Sequence, residues 1–280
     1  MLYKDSKTNK VYFSDVLKEK YKKFSKALFQ ILDVNSINYK LISNTKDIWM
    51  RDYMPIQKND GSFTRYIHKP DYLVGYSNIR TNPKQVSKFL DVNNIIDIEL
   101  NLDGGNIVKH ENKIICTDKI FKANITFKKE EVIDILKSEL DIAEVIIIPE
   151  QPFDMTGHSD GLVRFIDENR VMIAPYQNDD REFEKELKAS LLKHNLEIVT
   201  LPKKGYFTEK DGATWIPYIN YMQVSNLIIL PVVGNRVDEE VMEFFNQYFP
   251  ACIIEWIDAT KIIKQGGALN CISWNIYEEI

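Results

Sequence analysis

Cysteine is scarce in this 280-residue chain: Cys116, Cys252 and Cys271 are an odd number, widely spaced and without a C-x-x-C pair. That excludes a disulfide framework and a cysteine-built zinc site. Histidine is also sparse, with only His68, His110, His158 and His194 and no H-E-x-x-H, so a histidine metal centre has no support. Positive charge is not in excess. The 36 Lys and Arg face 41 Asp and Glu, a formal net charge of -5, which argues against nucleic acid as a partner and mildly favours a cationic ligand. No run approaches the ~18 apolar residues that span a bilayer. The segment Met1-Leu2-Tyr3-Lys4-Asp5-Ser6-Lys7 lacks the apolar core of a signal peptide. The expectation is a reduced, cytoplasmic protein with no membrane partner. Phosphate loops are missing too: Asp103-Gly104-Gly105-Asn106 lacks the G-x-G-x-x-G spacing, and there is no G-x-x-x-x-G-K-[ST]. No organic cofactor or metal is called for.

What remains is a globular composition, 44% hydrophobic and 28% charged. No linker-like stretch interrupts it, so residues 1–280 read as a single catalytic domain. A helical period runs over 16–32, with further helices expected over 83–91, 129–140, 180–194 and 237–248. Strand-like runs occupy 39–42, 54–57, 63–68, 144–148, 162–166, 171–174, 197–201, 226–232 and 253–257. Helices recur every ~50–60 residues, each with strands around it, and five such units fill the chain. This predicts an α/β protein built as a closed ring of similar modules. By periodicity alone a doubly wound sheet is equally compatible.

Four polar clusters interrupt the strand pattern. The first, Trp49-Met50-Arg51-Asp52-Tyr53-Met54-Pro55, sets an Arg–Asp pair among aromatics and also reads as a surface salt bridge at a strand end. The second is Asp103-Gly104-Gly105, otherwise an ordinary turn. In the third, Gly157-His158-Ser159-Asp160, strand alternation would put His158 and Asp160 on one face, about 7 Å apart. A carboxylate beside a histidine stabilises imidazolium, a proton donor near neutral pH. The fourth is Gly266-Gly267-Ala268-Leu269-Asn270-Cys271, where the thiol is either a nucleophile or a small buried hydrophobe. Cys116 and Cys252 sit in apolar, strand-like contexts and read as core or inert thiols. One thiol, one histidine and the carboxylates Asp52, Asp103 and Asp160 are too acidic a set for acyl transfer, since carboxylates raise a thiol pKa. A planar guanidinium would pair with the carboxylates, favour the thiolate and bring an electrophilic carbon to it.

In this order the clusters resemble the agmatine deiminase and bacterial-type peptidylarginine deiminase family of the guanidine-modifying pentein superfamily. Its W-x-R-D-x-x-P element resembles residues 49–55, its acidic-Gly-Gly element residues 103–105, its G-H-x-D residues 157–160 and its G-G-x-x-x-C residues 266–271. Tyr218-Ile219-Asn220-Tyr221 is similar to a pocket-forming stretch of the family. The resemblance implies a five-bladed α/β propeller of repeated ββαβ-like modules. It further implies that Asp52 and Asp160 clamp the guanidinium, Asp103 assists His158, and Cys271 attacks the guanidinium carbon. His158 would protonate departing ammonia and then activate water, while Trp49, Arg51 and Asn220 contribute to substrate binding. The implied activity is hydrolysis of a small cationic guanidine such as agmatine to a ureido product. Peptidylarginine, arginine or methylated-arginine substrates, amidino transfer, and a non-catalytic binding protein are the alternatives, and a homo-oligomer is left open. Asn270 stands where many relatives have His, Asp103 where agmatine deiminases often have Glu, and 108–113 replaces a D-G-x-G-T stretch.

Overall fold

A hairpin, a helix and a strand parallel to the hairpin's second strand form the unit that repeats. The structure is a computed structural model that describes all residues except 91, 93, 153, 177–179, 203–204, 210–211 and 280. The first module contains β1 (Lys10–Ser14), α1 (Asp15–Lys20), α2 (Lys22–Val34) and β2 (Asn38–Ile42). A single turn, α3 (Met50–Tyr53), leads to β3 (Ile56–Gln57), β4 (Phe63–Ile67), α4 (Pro83–Val86) and β5 (Ile95–Asn101). The third module is β6 (Val108–His110), β7 (Lys113–Thr117), α5 (Lys119–Ala123), α6 (Lys129–Leu140) and β8 (Glu144–Ile148). The fourth is β9 (Val163–Phe165), β10 (Arg170–Ile173), α7 (Arg181–Leu192) and β11 (Glu197–Thr200). A separate hairpin, β12 (Gly205–Glu209) and β13 (Gly212–Ile216), precedes the fifth module. That module has β14 (Met222–Val224), β15 (Leu227–Val232), α8 (Arg236–Tyr248) and β16 (Ile253–Asp258). The chain ends with α9 (Thr260–Ile263) and β17 (Trp274–Ile276).

The described strands form five three-stranded sheets plus the β12–β13 hairpin. β17 pairs antiparallel with β1, Tyr12 opposite Trp274, so the last strand completes the first module and closes the ring. This is the five-bladed pentein propeller. Local chemistry explains the hairpins. Between β6 and β7 Glu111 takes φ +51°, and between β14 and β15 Ser225 takes φ +52°, the positive φ that tight hairpin turns require. In the β9–β10 turn the Asp167 carboxylate accepts from the N–H groups of Asn169 and Arg170 at 3.0 and 2.9 Å.

Three helices carry the same buried i, i+4 stripe: Phe24, Leu28 and Leu32 in α2; Val132, Leu136 and Leu140 in α6; Phe183, Leu187 and Leu191 in α7. α2 lies against β2 of its own module and β16 of the preceding one, and α7 likewise against β11 and β8. Each such stripe therefore seals a seam between modules. Full burial of a Leu or Phe is worth about 1.5–3 kcal/mol.

The connection from the third strand of one module to the first strand of the next carries the chemistry every time. Asp52 precedes β3, Asp103 precedes β6, His158 and Asp160 precede β9, Asn220 precedes β14, and Cys271 precedes β17. A closed ring of equivalent modules brings those five connections together.

Several expectations are corrected. The helix over 16–32 breaks at Tyr21 (φ -120°, ψ 51°), which places α1 and Tyr21 beside the cavity described below. The expected helix over 83–91 is α4 followed by a 3-10 turn, Ser87–Phe89, and residue 91 lies outside the described residues. His158 and Asp160 do not sit on a strand. Ser159–Gly161 is a 3-10 turn, because Asn106 Oδ1 accepts from Ser159 N at 3.2 Å and Thr117 Oγ1 donates to the Gly157 carbonyl at 2.6 Å. The same-face spacing of about 7 Å therefore does not apply. β1, β5, β6, β7, β14, β17 and the β12–β13 hairpin have no counterpart among the predicted strands. Three of them, β6, β14 and β17, are only three residues long, too short for an alternation to show.

Candidate active site

The nucleophile candidate is held by its neighbours' connections. Cys271 Sγ donates toward Asn220 Oδ1 at 3.3 Å and Asp160 Oδ2 at 3.6 Å, and the Cys271 N–H also reaches Asn220 Oδ1 at 3.3 Å. Asn270 Nδ2 donates to the same Asp160 oxygen at 2.7 Å. On the other side His158 lies between two carboxylates, Nε2 at 3.1 Å from Asp103 Oδ2 and Nδ1 at 3.6 Å from Asp52 Oδ1. Asp52 accepts the Gly105 N–H at 3.1 Å. Asp103 is held further by His68, whose Nδ1 is 2.9 Å from Oδ1, and by the Tyr72 hydroxyl at 3.4 Å.

The glycines of two motifs are required by close approach. A Cβ on Gly105 would lie 2.6 Å from both Asp52 Oδ1 and His158 Nδ1, and one on Gly267 would lie 2.6 Å from the Trp49 ring. Asn106 ties the histidine segment to the acidic one: its Oδ1 accepts from the N–H groups of Thr117 and Ser159 at 2.9 and 3.2 Å.

Asp52, His158, Asp160, Asn220, Cys271 and Trp49 line one cavity of about 990 Å³. Asp103 is behind it, against His158 and Tyr72. Apolar walls come from Val16, Tyr21, Tyr72, Trp215 and Pro217. Among the described residues no group of three or more His, Cys, Asp or Glu is placed to hold a metal ion, and no helix is long and apolar enough to cross a membrane.

Burial raises the Cys271 thiol well above its usual value, and Asp160 and Asp52 add to that. Burial also raises Asp52, to about 7, against the pull of His158. For His158 burial acts the other way, but Asp52, Asp103 and Asp160 outweigh it and raise the imidazole to about 9. Burial would raise Asp103, yet the hydrogen bond from His158 and the close approach of His68 hold it well below the carboxylate range. The cavity thus presents a neutral thiol and an imidazolium in its wall.

Arg51 is not brought into this group. Asp52 faces the thiol cavity, while Arg51 turns away to Asn275 Oδ1 at 2.6 Å and the Asn270 carbonyl at 3.4 Å. Its backbone N–H binds the Cys271 carbonyl at 3.0 Å, so it supports the thiol segment from behind. Tyr218 is core, with its hydroxyl on Asp238 at 2.5 Å. Cys116 is buried in the core and its thiol is pushed up to about 12 by burial. Sequence reasoning missed His68, Tyr72 and Asn106 as partners. Asn106 directly follows the double glycine, which is the one signal that was available.

A five-module ring with a thiol, a histidine and carboxylates in its converging connections belongs to the guanidine-modifying pentein class. Within it, this chain is a member of the Porphyromonas-type peptidyl-arginine deiminase family, whose model matches residues 7–276. Curated relatives named provisionally as agmatine deiminases include one from Marinomonas sp. (strain MWYL1), 24% identical over 211 residues, 64% of this chain and 57% of that protein. Another, from Streptococcus mutans serotype c, is 22% identical over 293 residues, 89% of this chain and 79% of the relative. The chain thus spans little more than half the length of the first of these. The solved agmatine deiminase of C. jejuni superposes with a TM-score of 0.79 at 18% identity, covering 100% of this chain and 96% of that one.

Proposed function

We propose that this protein is a guanidine deiminase that hydrolyses agmatine or a related small guanidine to a ureido product and ammonia. The observation that carries the reading is the convergence of Cys271, Asp160, Asn220, His158 and Asp52 on one cavity, with Asp103 bonded to His158 behind it. Three carboxyl groups around a buried thiol oppose thiolate formation until a cation arrives. A guanidinium about 4 Å from the sulfur favours the thiolate by roughly 4 kcal/mol at an effective dielectric near 20, equivalent to about three pH units.

Asp160 and Asp52 fork the guanidinium. As the cation settles, the Cys271 thiol loses its proton to solvent water; the thiolate sulfur then bonds to the guanidinium carbon, the C=N π pair moves onto nitrogen, and a neutral tetrahedral adduct forms. His158, an imidazolium at neutral pH, passes its proton to one nitrogen, the C–N bond breaks and ammonia leaves, and a thiouronium remains on Cys271. Neutral His158 then takes a proton from water as the oxygen bonds to the same carbon. The C–S bond then breaks, the hydroxyl proton passes to the departing sulfur and restores the Cys271 thiol, and the ureido product is released. Asp103 keeps the imidazole oriented throughout, and Trp49 walls the tail of the substrate. The agmatine deiminase names of the relatives favour that substrate.

Ammonia and ureido-product release should be measured with agmatine, arginine, a methylated arginine and an arginine peptide side by side, with Cys271→Ala as control. Turnover of a guanidine that is lost in the control supports the reading. Product formed only when an acceptor amine is supplied would replace it with amidino transfer, and no turnover of any substrate would sink it.

A further inference from the structure

Arg51 and Asn270 line a second cavity, of about 420 Å³, whereas their sequence neighbours Asp52 and Cys271 line the first. Its wall includes Lys109 from the middle of β6, Arg164 from the middle of β9 and Asp5 from a 3-10 turn near the start of the chain. The charges do not balance. Asp5 serves both Arg164, Oδ2 to Nη2 at 2.8 Å, and Lys109, Oδ1 to Nζ at 3.3 Å. Arg51, itself buried, bonds only to neutral oxygens of Asn275 and Asn270, and no carboxylate among the described residues forms an ion pair with it. At the rim Glu111 is occupied by Lys4 at 2.8 Å and Asp167 by Arg170 at 2.7 Å, while Glu168 is exposed to solvent. The interior therefore holds three cations against the one carboxylate of Asp5.

Buried charge without a counter-charge is unfavourable, and a cavity with surplus N–H donors is one that an anion relieves. Lys109 registers the imbalance: burial, Arg51 and Arg164 depress its ammonium below the usual lysine value despite Asp5.

We propose that this cavity is a binding site for a small inorganic oxyanion, held by Lys109, Arg164 and Arg51, and that its occupancy is felt at Cys271. The link is short, because Arg51 bonds the carbonyls of both Asn270 and Cys271. Inorganic phosphate is the probe, at pH 7 with ionic strength held constant by sodium chloride, and the readouts are 31P line width and melting temperature. A saturable response is expected, with a melting rise of about 5 °C at a hundredfold excess over Kd. Lys109→Gln, which keeps a donor for the Tyr3 carbonyl that Lys109 reaches at 2.5 Å, should weaken Kd at least tenfold. The iodoacetamide alkylation rate of Cys271 should change at least twofold with phosphate in the parent protein and not in Lys109→Gln.

An unsaturable, linear rise in melting temperature shared by both proteins would be general salting and overturns the site. So does a 31P line that never broadens with the parent protein, a result that does not depend on the variant folding. Saturable binding with an alkylation rate indifferent to phosphate overturns the link to Cys271. None of these readouts uses deiminase turnover, so they stand apart from the proposed reaction.

Discussion

Asp103→Asn separates charge from shape at the histidine. His158 is raised from 6.5 to about 9, because Asp52, Asp103 and Asp160 together outweigh its burial. At about 1.36 kcal/mol per tenfold change in proton affinity, that is roughly 3 kcal/mol in favour of imidazolium. Asp52 is itself raised to about 7 and is only partly ionised at neutral pH, whereas Asp103 is held charged. Asp103 also sits closer, 3.1 Å against 3.6 Å. A unit charge at 3.1 Å contributes about 5 kcal/mol at an effective dielectric near 20. Removing it exceeds the net preference, so His158 in the variant should titrate below its ordinary 6.5. The sign for stability follows. In the parent protein the folded pKa lies above the unfolded one, so this contribution is complete below pH 6.5 and is lost as pH rises through about 9. Urea unfolding of the parent protein at pH 6 and pH 9.5 should therefore differ by about 3 kcal/mol from this group, and the variant should lack that decline. The direct assay is an NMR titration of the histidine Cε1–H signals, with His158 assigned by its own replacement. A His158 that still titrates near 9 in Asp103→Asn would refute the reasoning and assign the imidazolium to Asp52 and Asp160 alone.

Other outcomes follow from the same geometry. Gly105→Ala inserts a methyl group 2.6 Å from two polar atoms of the site. It should cost about 1–3 kcal/mol in urea unfolding and lower kcat more than it raises KM. Asn106→Ala deserts two buried N–H donors, those of Thr117 and Ser159, at a cost of about 1–3 kcal/mol, and should slow turnover by loosening the His158 segment. Asp160→Asn should raise the KM for a cationic guanidine at least tenfold and leave melting temperature nearly unchanged; an unaltered KM would remove the clamp. In the empty protein Cys271 should alkylate slowly below pH 9, since its thiol is raised by burial, Asp160 and Asp52, and a non-reactive guanidinium in the cavity should speed that reaction.

The site was legible wherever chemistry demands residue types at fixed spacing. A thiol after two glycines, a histidine next to a carboxylate and an acid before Gly104-Gly105 are local patterns that survive without coordinates. Helices were legible because an apolar stripe at i, i+4 is imposed by burial of one face, as in Phe183, Leu187 and Leu191. Two inner strands were not: Met222–Val224 and Trp274–Ile276 are three residues each, buried throughout, with no alternation to read.

By itself, then, the sequence determined the module count, the helix faces and the reactive residue types, because each depends on neighbours a few positions apart. Only the tertiary structure decided which way each side chain turns. Arg51 and Asp52 are adjacent, yet they face different cavities because α3 is a single buried turn between them. His158 and Asp160 part company for a similar reason, one held by Asp103 and the other by Asn270. These partners lie 55 and 110 residues away along the chain, and ring closure by β17 on β1 is what brings them together.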